Sequence, residues 1–289
     1  MNIVVGATGF LGSENCRRLA QQGKPVRALV RTSSDPAKKE ALQNLGIELV
    51  EGDLKDAASL AVACQGVTAV ISTASVTISR QAGDSIQAVD LDGQLNLIQA
   101  AKAANVSQFI YVSYSGNIDV DCPLQTAKRT VEQALRESGL TYTILRPSSF
   151  MEVWLSPIVG FDVANANVTV YGTGERKISW ISLADVAQFA VESLTNPAAQ
   201  NAVLELGGPV ALSPLEVVQI FEAASGKSFA VQHVPAEALQ AQLDAATDPI
   251  QQSFAALMLA VTQGDEIDMR ETLQKFPLQL TSVADFARR

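Results

Sequence analysis

Three glycines that follow a short apolar run at the start of the chain constrain the fold most strongly. The run Ile3–Val5 is followed by Gly6, Gly9 and Gly12, and an amphipathic helical pattern then begins. A strand, a glycine turn and a helix in this order can cradle a pyrophosphate, because free N–H groups point out of the helix N-terminus. The spacing is GxxGxxG and so departs from the GxGxxG fingerprint. The pattern predicts a dinucleotide site, and a strand–helix turn without a ligand is the alternative.

Each glycine has its own role in this prediction. Gly6 makes the sharp turn, Gly9 allows the phosphates to approach the backbone, and Gly12 lets the helix pack on the strand. The other residues of the predicted cofactor loop are Thr8, Phe10 and Leu11.

Composition excludes several classes of function. The chain has 289 residues, 47% of them hydrophobic, and a net charge of -9. It can form a large core, and its acidic balance argues against a nucleic-acid partner. No apolar run is long enough to cross a bilayer, and no basic region precedes an apolar segment at the N-terminus. We therefore expect a cytoplasmic protein with no membrane span and with reduced cysteines.

The single histidine, His233, limits the chemistry further. A zinc site with paired histidines is excluded, and Cys16, Cys64 and Cys122 lack metal-ligand spacing, so we expect no metal. A Ser-His-Asp triad would require His233, and the chain has no G-x-S-x-G elbow. His233 lies in an alternating segment and is predicted to be a structural strand residue.

The first half of the chain alternates strands and helices. Short apolar strands joined by helices indicate right-handed βαβ units and a parallel sheet covered on both faces. The predicted fold class is therefore α/β, a doubly wound (Rossmann) sheet whose ligand crevice lies at the carboxyl ends of the strands. One long helix is predicted over about 84–104. The predicted strands are 3–5, 26–30, 47–50, 67–72, 109–112 and 142–145.

The pattern changes after Pro147 and predicts a second region. Residues 1–150 are assigned to the NAD(P)-binding domain, and 151–289 to a smaller α+β lid over the crevice. One segment near 200–207 is expected to return to the main sheet. Ser213 and Glu216 have the spacing of a capping box at the start of a helix, and Asp35 precedes Pro36 as another N-cap.

Arg31, at the end of the second strand, indicates the cofactor. An NAD site usually places an acid there, on the ribose 2′-hydroxyl. A guanidinium would instead hold a 2′-phosphate through bidentate, charge-assisted hydrogen bonds, and Lys38 could add charge. The sequence therefore favours NADP(H) over NAD(H). A solvated surface arginine is the alternative.

Two further strand ends supply cofactor candidates. Asp53 and Leu54 follow the third strand and could flank the adenine, although Asp53 can equally be a turn residue. Small residues close the fourth strand and would leave room for the pyrophosphate and the nicotinamide ribose. They are Ser72, Thr73 and Ala74.

Six motifs in a familiar order now connect the chain to a known family. They are GATGFLG, ALVR, EGDL, FIYVSYSG, AKRTVEQAL and YTILRP. Together they resemble the atypical short-chain dehydrogenase/reductases, in particular the NmrA-like and isoflavone-reductase-like branch, whose bacterial members include quinone oxidoreductases. The resemblance covers about residues 1–230, and residues 230–289 carry no usable motif.

The resemblance implies a catalytic Ser, a Tyr, and a Lys four residues after the Tyr. Lys128 matches the Lys and Ser115 matches the Ser, but Leu124 stands where the Tyr is expected. Tyr114 lies nearer the crevice than Tyr111 and is a candidate for substrate binding.

The missing tyrosine leaves three outcomes open. Lys128 itself could be the acid/base, as the resemblance to isoflavone reductases implies. The acceptor could instead need little help, since a quinone or azo compound takes hydride readily. The third outcome is binding without turnover. A solvated Lys128 paired with Glu132 is the structural alternative.

Apolar residues after the sixth strand are candidates for an acceptor platform. Phe150, Met151 and Trp154 could face an aromatic ring, or could simply be core. Trp180 and Asp185 resemble a family stretch where the lid meets the main domain, and Asp185 is interpreted as a helix-start residue.

These residues predict an NADPH-dependent oxidoreductase that transfers hydride to a small conjugated acceptor such as a quinone. The alternative is a non-catalytic NADP(H)-binding redox sensor that docks on a protein partner, and a third reading is an assembly factor that has lost its chemistry. Whether the chain forms a homodimer or binds a protein partner stays open.

Overall fold

The fold is described from a computed structural model, in which residues 1–77, 80–118 and 120–289 are described. The chain forms two compact units, each assembled from three segments. Unit 1 comprises Met1–Ser113, Thr126–Leu145 and Val186–Leu204; unit 2 comprises Tyr114–Gln125, Arg146–Asp185 and Glu205–Arg289. The boundary near residue 150 stays a prediction.

Two sheets contain the strands of the described residues. The strands are β1 (Asn2–Val5), β2 (Val26–Val30), β3 (Glu48–Glu51), β4 (Ala69–Ser72), β5 (Gln108–Val112), β6 (Thr141–Pro147), β7 (Phe161–Asp162), β8 (Asn167–Tyr171), β9 (Ala202–Leu206) and β10 (Ala230–Val234). The seven-stranded sheet has the order β3-β2-β1-β4-β5-β6-β9, and the three-stranded sheet the order β10-β8-β7. Strands β1 to β6 pair in parallel. The predicted doubly wound sheet is confirmed.

Helices of unit 1 surround the larger sheet, and most of the remaining helices belong to unit 2. The α-helices of the described residues are α1 (Phe10–Gln21), α2 (Pro36–Asn44), α3 (Ala57–Ala63), α4 (Gly93–Ala103), α5 (Pro123–Glu137), α6 (Met151–Trp154), α7 (Leu183–Ser193), α8 (Pro214–Ser225), α9 (Ala236–Ala245), α10 (Pro249–Val261), α11 (Arg270–Lys275) and α12 (Val283–Phe286). Short 3₁₀ turns lie at Pro157–Val159 and Pro197–Ala199.

The central strands follow from their continuous apolar sequence. All four residues of β4 are buried, as are the last three of β1, which is its neighbour in the sheet. A strand that is apolar on both faces requires cover on both faces, which the helices of a doubly wound fold provide. The chain reverses its winding between β1 and β4, and a reversal of this kind marks the ligand crevice in open parallel sheets.

The predicted helix starts are confirmed at two positions. The Asp35 carboxylate accepts the N–H of Ala37, with Pro36 at the first helical position of α2. Ser213 and Glu216 form the reciprocal capping box of α8.

The single helix predicted over 84–104 is wrong at its start. Ile86–Asp92 forms a π-helical turn, and α4 begins only at Gly93. The wider turn coincides with a buried acid, Asp90. π-Helical turns often occur at functional sites, and periodicity alone does not distinguish them from α-helix.

Unit 2 has its own core around the smaller sheet. Phe161, Val168, Val170 and Phe221 are buried together, and the rings of Phe161 and Phe221 meet edge to face at 4.8 Å. His233 lies on β10, and its Nδ1 is 3.0 Å from the Gly172 carbonyl oxygen. Its prediction as a structural strand residue is confirmed.

Substitution of Gly12 tests the close approach of α1 to the first strand–helix turn. A Cβ atom at Gly12 would lie 2.1 Å from the Gly6 carbonyl oxygen and 2.9 Å from Ala7 Cα. Both contacts are to backbone, so Gly12→Ala should lower the free energy of unfolding by about 1–3 kcal/mol in a urea titration. Ser13→Ala, at the exposed next position, is the matched control. Equal stability of the two variants would contradict this packing.

Candidate functional site

The glycine loop and the end of β4 form one tight contact in unit 1. Gly6 adopts a φ of +83°, and a Cβ atom there would lie 2.8 Å from Thr73 Oγ1 and 2.9 Å from the Ala74 nitrogen. Thr73 is held by two bonds to the Val5 carbonyl, from its N–H and its hydroxyl, both 3.0 Å. The structure therefore brings the predicted residues Gly6, Thr73 and Ala74 together.

The start of α1 fits a phosphate. Gly9 is its N-cap, and no side chain accepts a hydrogen bond from the first turn. The dipole and the N–H groups of a twelve-residue helix are thus left for an anion. Leu11 is buried, Thr8 is partly buried, and Phe10 is 64% exposed. A Cβ atom at Gly6 or Gly12 would lie within 3 Å of backbone atoms, so the tight turn at the start of α1 requires glycine, and a dinucleotide pyrophosphate fits the N–H groups that it presents.

The other predicted strand-end residues have local partners. Asp53 accepts the N–H of Lys55, and Ser59 Oγ accepts the N–H of Asp53, which is the geometry of a turn residue. Leu54 is buried next to it. The Ser72 hydroxyl donates to Gln94 Oε1 at 2.7 Å, toward α4. Roles of these residues in cofactor binding stay predictions.

Arg31 belongs to a charged cluster that we call the 31/55/84 cluster, formed by Arg31, Lys55 and Asp84. Arg31 Nη1 lies 2.7 Å and Lys55 Nζ 2.5 Å from the carboxylate of Asp84. Burial alone would raise the pKa of Asp84, but hydrogen bonds from Lys55, Arg31 and the Gln81 N–H hold it below its usual value. Lys38, the predicted second cation, is exposed.

Lys128 forms the central buried ion pair of unit 1. Its ammonium lies 3.4 Å from Asp90 Oδ1 and 3.4 Å from the Val112 carbonyl oxygen, at the end of β5. Lys128 is only 5% exposed and Asp90 is fully buried. The second carboxylate oxygen of Asp90 accepts the N–H of Val76 at 3.1 Å. The ammonium also lies 5.1 Å from the centroid of the Tyr111 ring, within range of a cation–π contact.

The solvated pair of Lys128 with Glu132 is wrong. Glu132 is buried and lies 2.7 Å from Arg129 and 3.8 Å from Arg136 on its own helix. Lys128 faces the end of β5 instead. Leu124, one helical turn earlier in α5, is buried, so an apolar side chain occupies the position where the resemblance places a tyrosine.

Ser115 lies in unit 2 and is bonded to a second buried acid. Its hydroxyl donates to Asp265 Oδ1 at 2.7 Å and accepts the N–H of Asn117 at 3.2 Å. Its own N–H donates to the Pro147 carbonyl at the end of β6. The hydroxyl proton of Ser115 therefore lies in the hydrogen bond to Asp265, and its donation to an acceptor molecule would require that bond to be exchanged.

The predicted acceptor platform belongs mainly to the core of unit 2. Met151 is fully buried, Trp154 packs against the same core, and Phe150 and Tyr114 are partly buried. Trp154 meets Tyr171 edge to face at 6.4 Å. A cavity of about 30 Å³ beside Trp154 has room for one or two waters, so an aromatic ring would require these side chains to move.

Trp180 and Asp185 have structural partners within unit 2. The Trp180 indole donates to the Leu212 carbonyl at 2.8 Å. Asp185, in the first turn of α7, accepts the N–H and hydroxyl of Thr281. These bonds support the interpretation of Asp185 as a helix-start residue.

Metal and thiol chemistry receive no support from the described part of the chain. No three His, Cys, Asp or Glu side chains of residues 1–77, 80–118 and 120–289 are grouped to hold a metal ion. Burial raises the pKa of Cys16 to about 12 and that of Cys64 to about 11, which makes both thiols unreactive. In the same residues, no helix has the length and apolar character to cross a membrane.

Three acids that contact predicted functional side chains do not follow from the sequence motifs. Asp84, Asp90 and Asp265 each hold a predicted functional side chain, but none lies in a quoted motif. Asp90 alone carried a local signal, because it is an acid between Val89 and Leu91 on a helical pattern. A charged residue on an apolar helix face is rarely buried without a partner.

The sequence matches the NmrA-like family over residues 2–287. It is 32% identical over 240 residues to a photosystem II assembly factor, Ycf39, of Trieres chinensis, which covers 81% of this chain and 72% of that protein. It is 34% identical over 229 residues to an NAD(P)H azoreductase of Xenophilus azovorans, with coverages of 78% and 74%.

The fold resembles solved structures over its whole length. The NADPH-dependent quinone oxidoreductase QOR2 of Escherichia coli, solved with NADPH, superposes with a TM-score of 0.79. The two sequences are 25% identical, and the match covers 99% of this chain and 98% of that one. The resemblance in sequence motifs is thus confirmed by the family match and by the fold, and the chain belongs to the NmrA-like family.

Proposed function

We propose that this protein is an NADPH-dependent reductase that passes hydride to a small conjugated acceptor such as a quinone or an azo compound. The observation that carries the proposal is the buried Lys128–Asp90 pair at the end of β5, in the unit that contains the glycine cradle. Similarity to an azoreductase and to a quinone oxidoreductase supports it.

The residues proposed to bind the cofactor all lie in unit 1. The loop of Gly6 and Gly9 and the start of α1 would hold the pyrophosphate, Arg31 the 2′-phosphate, and Lys128 the nicotinamide ribose. When bound, the reduced nicotinamide supplies the hydride. The likeness to a structure solved with NADPH supports binding of a nicotinamide dinucleotide.

Lys128 is the residue that can hold and move a proton. An ammonium has three N–H donors. The Val112 carbonyl accepts one of them at 3.4 Å, whereas Asp90 Oδ1 lies 3.4 Å away as an ion-pair partner without a hydrogen bond. Among the described residues this leaves an N–H that can donate to a ribose hydroxyl or to the oxygen of a reduced acceptor. Asp90 keeps the ammonium in one position, because the carboxylate is itself fixed by the Val76 N–H. With Leu124 in place of a tyrosine, proton delivery falls to Lys128 or to solvent.

A second candidate function is an NADP(H)-binding assembly or sensor protein. Similarity to a photosystem II assembly factor favours it, as does the leucine at position 124. Such a protein would bind the dinucleotide without consuming it and would dock on a protein partner.

The first prediction separates the two candidates. Purified protein mixed with NADPH and a panel of quinones and azo dyes should oxidise NADPH, as followed by absorbance of the reduced cofactor. Lys128→Met should lower kcat by about 10²–10⁴-fold with the best acceptor, the range expected for loss of a positioned proton donor. Tight NADPH binding without consumption by any acceptor would contradict the reductase and favour the binding protein.

The second prediction concerns Arg31. Arg31→Ala should weaken NADPH binding by about 1.5–3 kcal/mol, the usual value of hydrogen bonds to a charged group, and leave NADH binding nearly unchanged. Cofactor fluorescence titrations measure both affinities. Lys102→Ala, which removes an exposed cation in the last turn of α4, is the control. Equal weakening of both cofactors would show that Arg31 does not contact the 2′-phosphate.

The third prediction concerns the buried pair. Asp90→Ala leaves an ammonium buried without its counterion and should destabilise the fold by about 3–5 kcal/mol in urea unfolding. Adding Lys128→Met to this variant should restore much of the loss, since no charge then remains buried. Glu271→Ala breaks an exposed pair with Lys275 and should leave stability unchanged. A loss in the double variant as large as in Asp90→Ala would refute a charge effect.

A further inference from the structure

The 31/55/84 cluster does more than present Arg31 to a ligand. We propose that Asp84 competes with the 2′-phosphate of NADP(H) for Arg31 and Lys55, and thereby sets how strongly the protein discriminates NADP(H) from NAD(H). The inference rests on the proposed binding of NADP(H), and it adds Lys55 and Asp84 to the determinants of cofactor choice.

The three residues of the cluster follow three strands of the larger sheet. Arg31 comes directly after β2, Lys55 follows β3, and Asp84 lies in the segment between β4 and the π-helical turn. Since β2, β3 and β4 run parallel in one sheet, these segments all leave the sheet at its carboxyl edge. That edge is where the glycine loop also lies.

Both oxygens of the Asp84 carboxylate are engaged. Oδ1 accepts from Lys55 at 2.5 Å, and Oδ2 accepts from Arg31 at 2.7 Å and from the Gln81 N–H at 2.9 Å. The Asp84 side chain is 1% exposed, whereas those of Arg31 and Lys55 are 27% and 30% exposed. A buried anion thus lies beneath two cations that still reach solvent.

A short turn fixes the carboxylate in this position. The Asp84 N–H donates to the Gln81 carbonyl at 3.0 Å, and the Gln81 N–H returns to the Asp84 side chain. Gly83 allows the turn with a φ of +80°. Gln81 also contacts Ser33 in the loop after β2. Asp84 is therefore a built part of the cluster and does not resemble a freely solvated surface acid.

The charges of the cluster oppose a second anion. Arg31 and Lys55 carry two positive charges, and Asp84 and Asp53, which lies 3.7 Å from Lys55, carry two negative ones. A 2′-phosphate brings nearly two further negative charges at neutral pH. It must share cations that are already neutralised, so the attraction is weaker than Arg31 and Lys55 alone would provide. A 2′-hydroxyl carries no charge and meets no such opposition.

Asp84→Asn tests this competition without hydride chemistry. The probes are adenosine 2′,5′-bisphosphate and AMP, titrated calorimetrically, with NADPH and NADH titrated in parallel. Asp84→Asn should tighten the bisphosphate and NADPH by about tenfold, equivalent to 1.4 kcal/mol, and change AMP and NADH less than about twofold. Asp244→Asn, an exposed acid bonded to Gln240 in unit 2, is the matched control.

Lys55→Met tests the same competition by removing one of the two cations of the cluster. It leaves Asp84 in place and should weaken the bisphosphate relative to AMP, and the effect of Asp84→Asn should shrink when the two substitutions are combined. Thermal melting identifies a variant that fails to fold. If Asp84→Asn does not fold, the test rests on the ratio of bisphosphate affinity to AMP affinity in Lys55→Met. If this ratio equals that of the natural protein, the proposal is overturned.

The outcomes separate this inference from the proposed function. Suppose that the natural protein binds NADPH, but that the Asp84→Asn variant binds the bisphosphate with equal or lower affinity. This result overturns the competition and leaves the proposed reductase function intact. Asp84 would then merely hold Arg31 and Lys55 in place. Failure of the natural protein to bind either NADPH or NADH overturns the proposed function, and the competition with it.

Discussion

The ion pair between Lys128 and Asp90 is the interaction on which the functional half of the structure depends. It joins a helix, a π-helical turn and the end of β5, because the ammonium bonds the Val112 carbonyl and the carboxylate bonds the Val76 N–H. Two charges buried in this way cost desolvation free energy, and an apolar pair of the same size would often be as stable. The pair therefore holds a cation in one position at a cost in stability.

The glycine cradle and the buried pair make different demands on the chain. The cradle is steric: Gly6 and Gly12 leave no room for a side chain, and the start of α1 leaves its N–H groups to an anion. These features serve any dinucleotide and imply no reaction. The Lys128–Asp90 pair is electrostatic. It can act on a substrate only through an N–H of Lys128 that no protein group engages. The cradle and the pair therefore place independent demands on the sequence, and the chain is similar both to an azoreductase and to an assembly factor.

The local sequence was sufficient to predict the strands, the helix caps and the glycine turn, but not the acids that hold the functional side chains. The strands, the caps at Asp35 and Ser213 and the glycine turn depend on neighbours within a few residues, and pattern reasoning reached them. The π-helical turn was missed because a seven-residue segment next to an α-helix is too short for its wider period to be recognised in the apolar pattern. Asp265 was missed because its bond to Ser115 joins residues 150 positions apart, in a segment without a motif. Such pairings follow from topology and not from spacing.

Three polar side chains that the motifs singled out each have a buried carboxylate as partner: Arg31 has Asp84, Lys128 has Asp90, and Ser115 has Asp265. A motif identifies a donor, but the acid decides what the donor can still do. Asp84 reduces the charge that Arg31 offers to a phosphate, Asp90 fixes Lys128, and Asp265 accepts the hydrogen bond that the Ser115 hydroxyl donates. Relatives with identical motifs could thus differ in cofactor choice or in turnover through these acids alone. Sequence motifs in this fold are therefore better evidence for the ligand than for the reaction.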